Sequence, residues 1–116
     1  MSLINSRNPY WHFQAQALGA PFVMSKGIEP ISLAYVIVEP GQNTSVGWIA
    51  DVNPIPRKKK EIMTAYALAC DFLGFRWIYM ESGSGAGNSI PEDMIKEVKK
   101  TTKLNIITGG GINTPK

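Results

Sequence analysis

Phe75-Arg76-Trp77-Ile78-Tyr79-Met80-Glu81-Ser82-Gly83-Ser84-Gly85-Ala86-Gly87 is the stretch that decides how the chain is read. An apolar, strand-like run, Phe75 to Met80, passes directly into a glycine-rich loop carrying a carboxylate, Glu81, and two hydroxyls, Ser82 and Ser84. The pattern returns downstream, where Leu104 to Thr108 is strand-like and ends in Gly109-Gly110-Gly111-Ile112-Asn113. Between them lies a helix signal. Met94, Ile95 and Val98 make its apolar stripe, and Lys96, Lys99, Lys100 and Lys103 its outer face. Ser89-Ile90-Pro91-Glu92 has the spacing of a capping box. Glu92 and Asp93 sit at the positive end of the helix dipole, with the lysines toward the negative end. Two parallel strands ending in bare backbone loops are suited to hold a phosphate. An anion cradle needs no carboxylate, so Glu81 points to chemistry.

Upstream the same alternation continues. Lys60 to Leu73 reads as a helix, with Ala65, Ala67 and Ala69 allowing close packing and Gly74 as its stop. Residues 41–57 read as a long loop containing Val46-Gly47-Trp48-Ile49, a length often given to lids or binding loops. Ile31 to Val38 is nearly continuous in apolar residues, as expected of a parallel strand buried on both faces. Asn8-Pro9 opens a helix over Tyr10 to Leu18, with Gly19 as its stop, and Met1 to Ile4 is a short strand. The order is β-α-β-loop-α-β-α-β, which calls for parallel crossovers. A closed (β/α)8 barrel takes about 250 residues. The expectation is therefore an α/β chain forming a partial (β/α)8 TIM barrel, one incomplete domain over residues 1–116 with both ends of the barrel missing.

Composition fits an ordinary globular domain, with 44% hydrophobic and 18% charged residues. No apolar run reaches the 18 residues of a membrane span, and Arg7, Asn8 and Pro9 break up any signal-peptide core. The single cysteine, Cys70, falls in a helical pattern and reads as a small buried apolar residue. That fits a reducing cytoplasm. A net charge of +3 is too small to argue for nucleic acid. The basic run Arg57-Lys58-Lys59-Lys60 lacks interleaved aromatics and reads as a solvated helix entry.

Within the two loops, each residue has a distinct use. Glu81 follows a strand at the end where barrel active sites lie, and a loop cap is its alternative reading. Tyr79 shares a face with Glu81 through strand alternation. Ser84 and Gly85 stand at the following turn, where a hydroxyl and an N–H can bind a polar substrate. The bare backbone of Gly109 to Gly111 can approach an anion closely, although a triple glycine also serves as a plain tight turn.

Several segments together resemble geranylgeranylglyceryl phosphate synthase, a prenyltransferase family of archaeal ether-lipid synthesis. They are Leu3 to Trp11, Val46 to Ile49 with Pro54 to Arg57, Tyr79 to Ala86, and Thr108 to Ile112. The resemblance runs in order along essentially the whole chain. It implies strands four to seven of the barrel. It also implies coupling of geranylgeranyl diphosphate to the hydroxyl of sn-glycerol 1-phosphate, to give a membrane-associated product. By position, the glycerol-phosphate segment falls on Tyr79, Met80, Glu81, Ser82, Gly83, Ser84 and Gly85, and half of the phosphate site on Gly109, Gly110 and Gly111. Glu81 is the expected catalytic residue. Tyr10, Trp11 and Phe13 are expected walls of a prenyl groove, or else ordinary core. The family's Mg2+ ligands are implied on barrel strands one and two, so none is expected in this chain. Ser82 stands where alanine is common and Asn113 where arginine is common. At full length a homo-oligomer is expected; the isolated chain, with two unpaired sheet edges and half of the site missing, is expected to be inactive and to associate. Two other readings stand beside it: a different phosphate-binding barrel enzyme of isomerase or aldolase type, or an inactive half-barrel that only binds phosphate.

Overall fold

A computed structural model of the chain describes residues 1–83 and 89–110. Four strands form one parallel sheet in sequential order: β1 (Ser2–Leu3), β2 (Leu33–Ile37), β3 (Trp77–Glu81) and β4 (Asn105–Gly109). Sequential parallel order is what successive βα units of a barrel wall produce. A π-helical turn, Tyr10–Gln14, leads into α1 (Ala15–Ser25), and α3 (Lys60–Phe72) and α4 (Glu92–Thr101) make the other crossovers. A short α2 (Ser45–Ile49) lies inside the β2–α3 connection.

The alternation of β2 and β3 sorts the molecule into two faces. Ala34, Val36, Val38, Ile78 and Met80 point to one side, where Met63, Ala67 and Cys70 of α3 and Met94 and Val98 of α4 close a fully buried core over them. Tyr35, Ile37, Tyr79 and Glu81 point to the other, where Leu3, Ile37, Ala50 and Val52 form a second, smaller cluster with Trp11 and Tyr35. Strand β2 is thus covered on both sides, as its unbroken apolar run predicts, while β4 is an exposed edge.

Four local expectations change. The helix predicted to stop at Gly19 runs through Gly19 and Pro21 to Ser25. Its stop is Gly27, at φ +64°, where Gly27 N–H donates to Met24 O and Ile28 N–H to Val23 O. That pair of bonds is a Schellman motif, and Gly19 has none. The long loop over 41–57 contains α2, nucleated by Thr44, whose hydroxyl accepts from Gly47 N–H at 3.1 Å. The capping box over Ser89 to Glu92 does not form, because α4 begins at Glu92 with Pro91 as its N-cap and no side-chain cap bond. The basic run divides: the three lysines are exposed, but Arg57 is half-buried and bonded to backbone. The stop at Gly74, the buried stripe of α4 and the burial of Cys70 are as predicted. Of the three alanines in α3, only Ala67 faces the sheet.

Asn5 joins β1 to β2 beyond their short ladder. Its amide donates to Ile37 O at 2.8 Å and Asn53 O at 2.9 Å, and its carbonyl oxygen accepts from Ile37 N–H at 3.1 Å. Ser6 and Arg7 add contacts to Ala50, Asp51, Val52 and Asn53. The loop carrying α2 is therefore bound to the first residues of the chain, at the C-terminal end of the sheet.

Candidate active site

Glu81 is the last residue of β3, in register with Ile37 of β2 and Gly109 of β4. It is nearly buried, with 8% of its surface exposed, and both carboxylate oxygens are engaged. Oε2 accepts from the Tyr79 hydroxyl at 2.7 Å, and Oε1 from Gly83 N–H at 2.9 Å. A carboxylate oxygen has room for a second acceptor contact, so each can still take a bond from a ligand hydroxyl. The Tyr79 ring stacks on Tyr35, with centroids 5.1 Å apart and planes 9° from parallel. The bond to Glu81, with burial and the carboxylate charge behind it, pushes the Tyr79 phenol up to about 12. Burial, then the charge of Glu81, raises Tyr35 as well. Both phenols stay protonated at neutral pH, and Tyr79 stays a donor.

Gly109, the last residue of β4, and Gly110 after it leave room for this carboxylate. A Cβ on Gly109 would fall 2.8 Å from Glu81 Oε2 and 3.1 Å from Tyr79 Cζ. A Cβ on Gly110 would meet Glu81 Oε1 and fall 2.7 Å from both Gly83 N and Gly83 O. Gly110 also sits at φ +85°, where a side chain is strained. Ser82 is fully buried, and its N–H and hydroxyl both face Gly109 O, at 3.2 and 3.5 Å. Tyr79, Glu81, Ser82, Gly83, Gly109 and Gly110 are thus brought to one point.

Other predicted residues fall differently. Met80 is in the helix-side core, so its side chain faces away from Glu81. Ser84, Gly85 and Gly111 lie outside the described residues. The three aromatics do not share one wall. Trp11 packs on the Leu3–Ile37 cluster, Tyr10 meets Trp11 edge-on, and Phe13 lines a groove between α1 and α3 on the opposite side of the sheet. Tyr35 escaped the sequence reading, because its neighbour Tyr79 is 44 residues away and only strand register joins them.

The family model described as the PcrB family matches residues 1–116. The chain belongs to the PcrB family. Curated relatives include geranylgeranylglyceryl phosphate synthases from Korarchaeum cryptofilum, 55% identical over 99% of this chain, and Methanosphaera stadtmanae, 57% identical over 98%. These alignments cover 47% and 46% of those proteins, so this PcrB-family chain spans about half the length of the relatives it matches. Its fold is similar, at a TM-score of 0.90, to the crystal structure of (S)-3-O-geranylgeranylglyceryl phosphate synthase from Thermoplasma acidophilum in complex with substrate sn-glycerol-1-phosphate. That likeness has 35% identity, 97% coverage of this chain and 44% of that one. The Thermoplasma volcanium enzyme matches at the same TM-score with 38% identity, covering 97% of this chain and 44% of its own. The sheet is thus part of a TIM barrel.

Proposed function

We propose that this chain carries the glycerol-phosphate side of a prenyltransferase site. In the complete barrel that site would couple geranylgeranyl diphosphate to sn-glycerol 1-phosphate, giving geranylgeranylglyceryl phosphate for archaeal membrane lipid synthesis. The observation that supports this most directly is Glu81, held by Tyr79 and Gly83 against Gly109 and Gly110 at the C-terminal end of the sheet. It stands in a chain similar throughout to a synthase solved with sn-glycerol-1-phosphate.

In this reading Glu81 accepts a hydrogen bond from the glycerol hydroxyl and aligns its oxygen with the allylic carbon. The new C–O bond forms as the bond to diphosphate breaks, and the hydroxyl proton passes to Glu81. Tyr79 holds the carboxylate in place by its donated bond. Backbone N–H groups of the loop that follows β4 receive the phosphate. Mg2+ enters this proposal through the family resemblance alone. Among the described residues no group of three or more His, Cys, Asp or Glu side chains is placed to hold a metal ion. No step is drawn through it.

Glu81→Gln tests the reading. Glutamine keeps the shape but presents an acceptor to only one of its two present donors. sn-Glycerol 1-phosphate should still bind the variant chain in a calorimetric titration. In a full-length barrel carrying the same change, prenyl transfer should fall by about 10²-fold or more. Unchanged turnover would remove Glu81 from the chemistry.

A further inference from the structure

One row of side chains, two residues before Glu81, crosses all four strands. Leu3 of β1, Tyr35 of β2, Tyr79 of β3 and Ile107 of β4 are register partners, so they stand side by side on one face. Tyr35 packs on the cluster of Leu3, Ile37, Ala50 and Val52, and its ring stacks on that of Tyr79. Strand β4 closes in on Tyr79 as well, since a Cβ on Gly109 would meet its hydroxyl and fall 3.1 Å from its Cζ. The phenol that donates to Glu81 Oε2 therefore lies between the ring of Tyr35 and the bare backbone of Gly109.

Tyr79 needs that support. It is only half-buried, and among the described residues its hydroxyl makes one hydrogen bond, the one to Glu81. A change of χ1 would carry the hydroxyl away from the carboxylate. Stacking on a second ring favours the rotamer that keeps the bond. The hydroxyl of Tyr35 has no hydrogen-bond partner among the described residues, so its ring, and not its polar end, makes the contact.

We propose that Tyr35 is a positioning residue for the Tyr79–Glu81 pair. Its ring, anchored on the Leu3–Ile37 cluster, holds the Tyr79 phenol against Gly109 so that Glu81 keeps its donor. This rests on the reading that Glu81 orients the hydroxyl of sn-glycerol 1-phosphate.

Variants of the chain separate this role from ordinary packing. Tyr35→Phe keeps the ring and should keep wild-type affinity for sn-glycerol 1-phosphate in calorimetric titrations. Tyr35→Leu keeps apolar bulk without the ring and should weaken binding about threefold to tenfold, the effect expected of a stacked pair. In a Tyr79→Phe background no hydroxyl is left to position, so adding Tyr35→Leu should cost no further affinity. An equal loss in both backgrounds overturns the proposal. So does wild-type affinity in Tyr35→Leu, or a loss in Tyr35→Phe as large as that in Tyr35→Leu. Tyr35→Met takes the place of Tyr35→Leu if urea midpoints show the latter unfolded. A second readout needs no ligand. At about pH 10 a phenol at the ordinary 10.0 is half ionised, and one raised to about 12 is almost wholly protonated. Tyrosine-ring carbon NMR at that pH should show Tyr79 protonated in wild type and Tyr35→Phe, and partly ionised in Tyr35→Leu. A Tyr79 as protonated in Tyr35→Leu as in wild type overturns the proposal. If the wild-type chain does not bind sn-glycerol 1-phosphate, the functional reading fails, and the NMR measurement still decides the role of Tyr35.

Discussion

Gly110 offers a prediction whose magnitude follows from the structure, because Gly74 supplies a matched control. Both glycines have a positive φ, +85° and +89°, so alanine at either bears the same backbone strain, about 1–2 kcal/mol. Their surroundings differ. A Cβ on Gly74 meets nothing within 4 Å, whereas one on Gly110 falls 2.7 Å from two backbone atoms of Gly83 and against Glu81 Oε1. Backbone atoms cannot rotate aside, so β4 and the β3 loop must separate, at a further cost of about 1–3 kcal/mol. Gly74→Ala should therefore destabilise by about 1–2 kcal/mol and Gly110→Ala by about 2–5 kcal/mol, compared by urea midpoints at constant m-value. Separation should also break the Gly83 bond to Glu81, so Gly110→Ala should lose sn-glycerol 1-phosphate affinity in a calorimetric titration while Gly74→Ala keeps it. Gly109→Ala tests the same contact by a softer route. Its Cβ meets the Tyr79 and Glu81 side chains, which can turn, so its stability loss should be smaller than that of Gly110→Ala. If Gly110→Ala proves no more costly than Gly74→Ala, the close approach of the two loops is not a constraint and the argument for this pocket fails.

Asn5→Ala should destabilise by about 2–4 kcal/mol in the same denaturation assay, because it leaves Ile37 N–H and Asn53 O without these bonds and removes one of the two that Ile37 O accepts. Asn8→Ala, which loses one exposed bond to Tyr10 N–H, should stay within about 1 kcal/mol, and equal losses would contradict the bridging role. Alkaline pH should erode stability in two stages. Burial pushes the Cys70 thiol up from 9.0 to about 11, and the Glu81 bond pushes Tyr79 from 10.0 to about 12. A raised folded-state value favours the unfolded chain once that chain can deprotonate. The contribution is therefore whole below pH 9, falls through 9–11 on account of Cys70, and falls through 10–12 on account of Tyr79. Urea midpoints of Cys70→Ala should lack the first decline and those of Tyr79→Phe the second; unaltered profiles would refute the assignments.

How much of this was readable in advance depended on range. The βαβ unit from Phe75 to Thr108 was legible because its signals are local: apolar runs, the amphipathic stripe of Met94 and Val98, and glycine at the strand ends. The stop at Gly74 was legible for the same reason. Gly19 misled, since a glycine inside a helix and a glycine after one look alike until the carbonyls that need capping are known. The capping box at Ser89 to Glu92 failed in a similar way. Its spacing is present, but α4 starts too late to use it, and Ser89 O is taken by Arg57. The three aromatics near Tyr10 were grouped by adjacency, whereas the helical turn sends Trp11 and Phe13 to opposite sides of the sheet.

The sequence by itself determined the alternation of strands and helices, the parallel connections and the placing of Glu81 after a strand, because periodicity and turn chemistry act over a few residues. Only the tertiary structure decided which groups meet that carboxylate. Gly110 lies 29 residues from Glu81 in the chain and Arg57 32 residues from Ser89, and neither pairing leaves a local trace. The first is set by the register of β3 and β4. A shift of one residue would turn Tyr79 and Glu81 into the helix-side core and bring Met80 to the site instead. The choice of register belongs to the whole packed sheet, since burying Ile78 and Met80 under α3 and α4 is what leaves Glu81 on the other face.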